Sequence, residues 1–260
     1  MRIFSLGDIF GKPGRKLVQE RLSALIHEYR IDFCLANVEN AAAGFGATPR
    51  IVDELLNSGI DLLTSGNHIW DRRAILPYLS AQSRLLRPYN YPKGAPGTGE
   101  YIGETNCGVR IGVLNLQGRV FMPSIDCPFI TGMDAIKHMR KQTSIIIVDF
   151  HAEATSEKQA FGWYADGHVS AVLGTHTHVQ TADERILPQG TAYITDLGMT
   201  GSHDSVIGSA RESALERFLL QTPNRLEPAN GNLRVCGAVI EIDESTGRAL
   251  SIQRINLPFS

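Results

Sequence analysis

Two histidines stand two residues apart in Gly174-Thr175-His176-Thr177-His178, directly after the apolar run Val169 to Leu173. That run reads as a short buried strand ended by a glycine. A His-x-His pair at a strand end can direct two imidazoles into one crevice, and imidazole is the commonest side-chain metal ligand. Four other apolar runs end in residues able to bind a metal. Gly7-Asp8 follows Ile3 to Leu6, and Glu39-Asn40 follows Phe33 to Ala36. Gly66-Asn67-His68 follows Ile60 to Leu63, and His151 follows Ile145 to Val148. Singly, each has a plainer reading. Asp8 could cap a helix, Glu39 and Asn40 could be turn residues, and Asn67 could hold a tight turn. His151 could be a core histidine, and His176 and His178 loop residues. Together, seven ligand-type residues at five strand ends point to one shared metal site.

The donors narrow the metal. Three imidazoles with carboxylates and amide oxygens suit first-row ions such as Mn, Fe, Co or Zn. No thiolate takes part, which argues against structural zinc. Seven ligands are too many for one tetrahedral ion, so two ions are expected, with Glu39 as the bridge. Two-metal sites hold their ions roughly 3.5–4 Å apart and clamp the attacking and leaving oxygens of a phosphoryl displacement. His68 beside Asn67 is free to protonate a leaving alkoxide or bind phosphate oxygen. Thr177, Asp196 and His203 are further polar candidates nearby, and Lys12 and Arg15 can reach phosphate.

These residues need a frame of strands that end together. Arg2 to Leu6 reads as a strand. Pro13 suits the first position of a helix whose stripe is Val18, Leu22, Leu25, Ile26 and Tyr29. Ile31 to Ala36 is a strand, Thr48-Pro49 opens a helix through Leu56, Asp61 to Thr64 is a strand, and Asp71 to Leu79 a short helix. This βαβαβ order predicts an α/β fold with a parallel sheet. Arg84 to Gly108, rich in proline and glycine, reads as an irregular surface excursion and a candidate lid. Strands then follow at Val109 to Leu116, Ile145 to Val148, Val169 to Leu173 and Thr191 to Thr195. Helices follow at Ile130 to Arg140, Thr155 to Ala165 and Ser209 to Leu220. The end, Leu233 to Ile242 and Arg248 to Ile255, reads as a hairpin and suggests a second, more antiparallel sheet.

Composition sets the remaining bounds. The 260 residues suffice for one large domain, 1–260, with no linker or internal repeat. Hydrophobic residues make up 43% and charged residues 20%, ordinary values for a soluble globular chain. A net charge of -2 offers no electrostatic case for a nucleic-acid or membrane partner, and with no basic patch in the sequence a sequence-specific nucleic-acid binder is the least expected class. Cys34, Cys107, Cys127 and Cys236 are widely spaced and read as buried free thiols. The N-terminal stretch is too short and too soon interrupted for a signal peptide, and no apolar segment approaches a bilayer span. A cytoplasmic location is therefore expected. Oligomeric state is left open, a homo-oligomer included.

These segments together resemble the calcineurin-like metallophosphoesterases, whose motifs run Asp-x-His, Gly-Asp, Gly-Asn-His, a lone His and Gly-His-x-His. Gly7-Asp8, Gly66-Asn67-His68, His151 and His176-Thr177-His178 stand at the first, third, fourth and fifth. Three positions depart. Phe10 occupies the first motif's histidine, Glu39-Asn40 replaces Gly-Asp, and Thr175 precedes His176. The departures themselves resemble the bacterial YmdB-like subfamily. The segments that carry this are Gly-Asp-Ile-Phe-Gly-Lys-Pro-Gly-Arg at 7–15, Asn-Val-Glu-Asn-Ala-Ala-Ala-Gly-Phe-Gly at 37–46, Asp-Phe-His-Ala-Glu-Ala-Thr-Ser-Glu-Lys at 149–158 and Gly-Thr-His-Thr-His-Val-Gln-Thr at 174–181. The resemblance implies a four-layer α/β/β/α sandwich of two mixed sheets. It assigns Asp8, Glu39, Asn40 and His178 to one ion and Glu39, Asn67, His151 and His176 to the other, the ions being Fe or Mn. It implies a phosphodiesterase acting on a small phosphodiester, a 3′,5′- or 2′,3′-cyclic nucleotide, by attack of a metal-bound hydroxide with His68 as general acid. Phosphomonoesters, RNA ends, or a regulatory protein with a vestigial metal site are the alternatives. The intact ligand set argues against the last.

Overall fold

The structure, a computed structural model, describes residues 1–259. Its first part runs β1 (Arg2–Leu6), β2 (Asp8–Ile9), α1 (Gly11–Tyr29), β3 (Phe33–Asn37), α2 (Pro49–Asn57), β4 (Leu62–Thr64), a 3-10 turn at Asn67–Asp71 and α3 (Ile75–Ala81). The middle runs β5 (Glu100–Glu104), β6 (Arg110–Gln117), α4 (Pro128–Met139), β7 (Ile145–His151), α5 (Thr155–Ala165) and β8 (Ala171–Thr175). The rest is β9 (Arg185–Ile186), β10 (Ala192–Ile194), β11 (Met199–Ser202), α6 (Arg211–Leu220), β12 (Leu233–Ile242) and β13 (Ala249–Phe259).

Two mixed sheets form. One has the order β2-β11-β12-β1-β3-β4, with β13 also paired to β12; the other has the order β5-β6-β7-β8-β10-β9. Period-two alternation decides which sheet face each side chain joins. Ile3, Phe33 and Leu35 of the first sheet meet Ile145, Ile147, Ala171 and Leu173 of the second in a shared middle layer. The alternate residues Phe4, Leu6, Cys34 and Ala36 pack outward under the apolar stripes of α1 and α2. Ile146, Val148 and Phe150 pack outward under α4 and α5. The layers are therefore α/β/β/α, as the resemblance implies. No helix of the described residues is long and apolar enough to cross a membrane.

Several local expectations are corrected. The β12–β13 hairpin does not build the second sheet; β12 inserts antiparallel beside β1 in the first. The second sheet instead has the parallel centre β6-β7-β8-β10. Helix α1 starts at Gly11, so Pro13 sits within its first turn, where the missing N–H has no partner to lose. The helix expected at Asp71 to Leu79 splits into the 3-10 turn and α3. Residues 84–108 are not a wholly irregular surface excursion. They hold the edge strand β5, and Leu85 and Leu86 are fully buried. Cys34 and Cys236 are buried free thiols, whereas Cys107 is exposed and Cys127 partly so.

Candidate metal centre

Parallel strands β1, β3 and β4 of one sheet and β7 and β8 of the other end at the same place, where α/β sheets form their sites. Asp8 follows β1, Glu39 and Asn40 follow β3, and Asn67 and His68 follow β4. His151 is the last residue of β7, and His176 and His178 follow β8. All seven expected ligand residues and His68 thus converge, although they lie up to 170 positions apart, 178 less 8.

One cluster surrounds His151. Its Nε2 lies 2.9 Å from Glu39 Oε1, 3.0 Å from His176 Nδ1 and 3.3 Å from Asn67 Oδ1. The other ring nitrogen is held by a chain of bonds. Thr175 Oγ1 donates to Asp149 Oδ1 at 2.6 Å and lies 3.0 Å from His151 Nδ1, so it accepts the Nδ1 proton. Nε2 is left to face the centre. Asn37 Oδ1 accepts from the Glu39 N–H at 3.1 Å and fixes the turn after β3. The ligand atoms of Glu39, His151 and His176 all lie within 4.8 Å of one another.

A second cluster surrounds His178. Its Nδ1 donates to the Ile207 carbonyl at 2.8 Å, so Nε2 faces Asn40 Oδ1 at 3.2 Å and Asp8 Oδ1 at 3.9 Å. Asn40 Nδ2 donates to the Gly44 carbonyl at 2.9 Å, which turns its oxygen inward. Asp8 Oδ2 accepts from the His176 N–H at 3.1 Å and ties the two clusters together.

These atoms are acceptors facing acceptors. Asp8 Oδ1 and Glu39 Oε1 are buried and receive no hydrogen bond, the His151 contact to Glu39 being ionic rather than aligned. Two wholly buried carboxylates, each with one oxygen that lacks a donor, are costly unless a cation neutralises them. Protonation shows the same demand. Burial acts to raise the Glu39 carboxyl, but the charge on His151 and its close approach to the carboxylate, followed by His68, bring it down to about 2. Burial acts to lower His151, and the Glu39 charge overrides it and raises the ring to about 9. Burial lifts Asp8 to about 6, and burial followed by the charge on His151 pushes His176 down to about 3. Without a metal, a proton on His151 supplies the positive charge. Gly66 leaves the needed room: a Cβ there would lie 2.1 Å from His151 Nε2 and 2.5 Å from Glu39 Oε2. The donor set, the orphaned oxygens and this cradle fit divalent metal ions.

Above this floor is a cavity of about 440 Å³, lined by His68, Glu153, Phe45 and Phe218 among others. His68 Nδ1 lies 2.8 Å from Asp71 Oδ2, and its ring meets the edge of Phe45 at 5.1 Å. Phe10, at the position of the missing motif histidine, packs edge-on to His178 at 5.5 Å. Glycines on either side make room for it, since a Cβ on Gly44 or Gly208 would lie 2.9 or 2.6 Å from its ring. Of the other polar candidates, Thr177 lines the cavity and Asp196 accepts from its N–H and hydroxyl at 3.1 and 2.8 Å. His203 faces the Met199 carbonyl and stands outside the cavity. Lys12, Arg15 and all of 84–108 are absent from the cavity wall.

Four contributors were not read from the sequence. Glu153 contacts His176 Nε2 at 3.1 Å, and Asp71 holds His68. Asp149 orients His151 through Thr175, and Lys158 pairs with Asp196 at 2.6 Å. Only Asp149 left a local signal: two residues before His151 in a strand, it shares that face.

Comparison with known proteins extends over almost the whole chain. The YmdB-like protein family matches residues 4–255. A 2′,3′-cyclic-nucleotide 2′-phosphodiesterase of Bacillus subtilis (strain 168) is 49% identical over 255 residues, which cover 98% of this chain and 96% of that protein. The crystal structure of a hypothetical protein from Thermus thermophilus superposes with TM-score 0.93 at 38% identity and covers 100% of both chains. That of a phosphatase from Mycoplasma pneumoniae superposes with TM-score 0.93 at 33% identity, covering 99% of this chain and 93% of that one.

Proposed function

We propose that this chain, which belongs to the YmdB-like protein family, is a metal-dependent phosphodiesterase that opens 2′,3′-cyclic nucleotides. It is a hydrolase acting on phosphoric ester bonds. The observation that carries the reading is the convergence of Asp8, Glu39, Asn40, Asn67, His151, His176 and His178, with orphaned carboxylate oxygens on Asp8 and Glu39. The split of contacts into a His151 cluster and a His178 cluster supports two ions; on the family resemblance these would be Fe or Mn, with Glu39 held in common. Asp8, Asn40 and His178 would complete one set, and Asn67, His151 and His176 the other. Such ions supply Lewis acidity to phosphoryl oxygens and bring the pKa of water toward about 7.

The chain's own groups do the rest. The Glu39 carboxylate accepts the His68 N–H at 2.9 Å, which fixes the turn carrying the His68 ring. Asp71 accepts from Nδ1, leaving Nε2 as the nitrogen that gives its proton to the departing oxygen. Water oxygen joins phosphorus, the bond from phosphorus to O2′ breaks, and O2′ takes that proton; the proton released by the water passes to solvent, from which His68 is reprotonated. The product is a 3′-phosphomonoester with a free 2′-hydroxyl. Phe45 and Phe10 wall the histidines on their apolar sides and limit water there. Residues 1–260 act as a single domain on this reading, because each sheet carries only part of the ligand set. Phosphomonoester hydrolysis is the second reading, favoured by the phosphatase from Mycoplasma pneumoniae.

The test loads metal-free protein with Mn or Fe, quantifies bound metal on the same batch, and offers 2′,3′-cyclic AMP, 3′,5′-cyclic AMP and 3′-AMP. The expected result is 3′-AMP from the 2′,3′-cyclic ester, dependent on metal and lost in Glu39→Ala together with both ions. Full turnover without metal would refute the mechanism. Faster phosphate release from 3′-AMP would favour the second reading.

A further inference from the structure

Two more hollows continue from the catalytic cavity. The first, about 560 Å³, shares Phe45, Arg217 and Leu226 with it and adds Arg72 and Arg225. The second, about 530 Å³, shares Ala43, Arg72 and Pro228 with the first and adds Lys12 and Arg15. Five cations thus follow one another away from the catalytic floor, and Glu227 is the one carboxylate residue lining either hollow.

The charges are weakly compensated. Arg225 meets Glu227 at 3.9 Å, but the side chains are 86% and 68% exposed, so the pair counts for little. Arg15 stands 4.0 Å from Glu54. Arg72 donates to the carbonyls of Phe45 and Ala42, both at 3.0 Å, and pairs with no carboxylate among the described residues. Lys12 and Arg217 form no ion pair among the described residues. The chain as a whole carries -2, so this track is a local concentration rather than a reflection of composition. Its natural complement is an anion that repeats. A nucleic-acid backbone carries one charge per nucleotide, and a basic groove with aromatic residues beside it is how single strands are held without regard to sequence. Half-buried Phe45 stands at the junction of the catalytic cavity and the first hollow.

We infer that the track binds the phosphates on the 5′ side of a terminal cyclic phosphate, so that an oligoribonucleotide ending in a 2′,3′-cyclic phosphate is a better substrate than a mononucleotide. This rests on the cyclic-phosphodiesterase reading of the site and adds a chain length to it. Backbone contacts carry no base sequence, so the preference is for length alone.

The experiment measures kcat/KM of the Mn-loaded protein for 2′,3′-cyclic AMP, its 5′-phosphorylated form, and oligoadenylates of two and four nucleotides with the same cyclic end. The four-nucleotide substrate should exceed cyclic AMP by at least about tenfold, the lower end for a hydrogen bond to a charged group. The advantage should shrink with added salt. Arg225→Glu should remove the step from one to two nucleotides, and Lys12→Glu only the step from two to four. If 5′-phosphorylated cyclic AMP matches the tetranucleotide, the ligand is a single phosphate and the oligonucleotide inference falls. Equal values at every length, or a length dependence that both variants leave intact, would also overturn it. Calorimetric binding of the 3′-phosphorylated products of each length, in the same proteins, tests the track without turnover. If no cyclic ester is hydrolysed, the proposed function fails, and length-dependent binding that Arg225→Glu weakens still supports the track. Binding independent of length overturns the track as well.

Discussion

Lys158 Nζ lies 2.6 Å from Asp196 Oδ2, and each side chain is only 1% exposed. The pair stands directly behind the loop that carries two of the histidines proposed to hold metal, His176 and His178. Asp196 Oδ2 also accepts from the N–H and hydroxyl of Thr177, and Oδ1 accepts from the Gly198 N–H at 2.8 Å. His176 and His178 flank Thr177 with φ of 102° and 63°, a left-handed backbone that non-glycine residues adopt at a cost of about 1–3 kcal/mol. The Thr177 anchor is what offsets that cost.

Lys158→Met should therefore do two things. Leaving Asp196 buried without its cation costs about 3–5 kcal/mol in urea unfolding. Loosening the loop should also weaken metal binding by about 10–100-fold, the usual worth of a partner that orients a ligand. Lower stability with unchanged metal affinity would show that the pair serves the fold and not the site.

Gly66→Ala tests the cradle. The added carbon would overlap the His151 ring and crowd Glu39. A turn beside the proposed metal cluster can shift without unfolding the sheets, so metal-free protein should still unfold cooperatively, at a lower temperature only by what the disturbed Glu39–His151 contact contributes. Metal stoichiometry should fall. Two ions bound per chain in this variant would contradict the placement of the centre against the Gly66 backbone.

His68→Ala should keep its metal, because Asn67 rather than His68 faces His151. It should lower kcat on a cyclic nucleotide by about 10²–10⁴, the worth of a positioned general acid. Asp71→Ala should cause a smaller loss in the same direction. Both losses should shrink on bis(nitrophenyl) phosphate, whose leaving group departs without a proton. Equal losses on the two substrates would leave His68 as a phosphate-binding group.

The pH dependence follows from the Glu39–His151 contact. The folded His151 is raised to about 9 from its ordinary 6.5, so in metal-free protein it adds stability below pH 6.5 that is lost as pH rises through about 9. Metal-free protein should melt at a lower temperature at pH 9 than at pH 6.5, and metal-loaded protein should not share that loss. Over the same window metal affinity should climb, since the ion displaces the His151 proton. An unperturbed imidazole would place the change near pH 6.5; titration of binding against pH separates the two.

The ends of the strands were legible in the sequence because strand type and ligand type are both local. Runs such as Ile3 to Leu6 and Ile145 to Val148 announce buried strands, and the residue after each run is where a parallel sheet exposes its chemistry. Thr48-Pro49 marked a helix start, and Thr48 Oγ1 does accept from the Ile51 N–H. Boundaries such as the start of α1 were less legible, since that helix begins at Gly11 after Phe10, with no side-chain cap to mark it.

What only the tertiary structure decided are the relations between distant residues. The β12–β13 hairpin has the same local pattern in either sheet, and packing beside β1 chose the first. A sequence does not say which of a histidine's two distinct ring nitrogens is left free to bind. Thr175 and Asp149 select Nε2 of His151, and the Ile207 carbonyl selects Nε2 of His178. Lys12, Arg72 and Arg225 are ordinary surface cations until folding sets their hollows side by side. Local pattern determines which element forms and what chemistry sits at its end. Tautomer, charge pairing and the course of a groove arise from contacts between segments well separated along the chain, 24 residues for His151 and Thr175 and 38 for Lys158 and Asp196, and those exist only once the chain has folded.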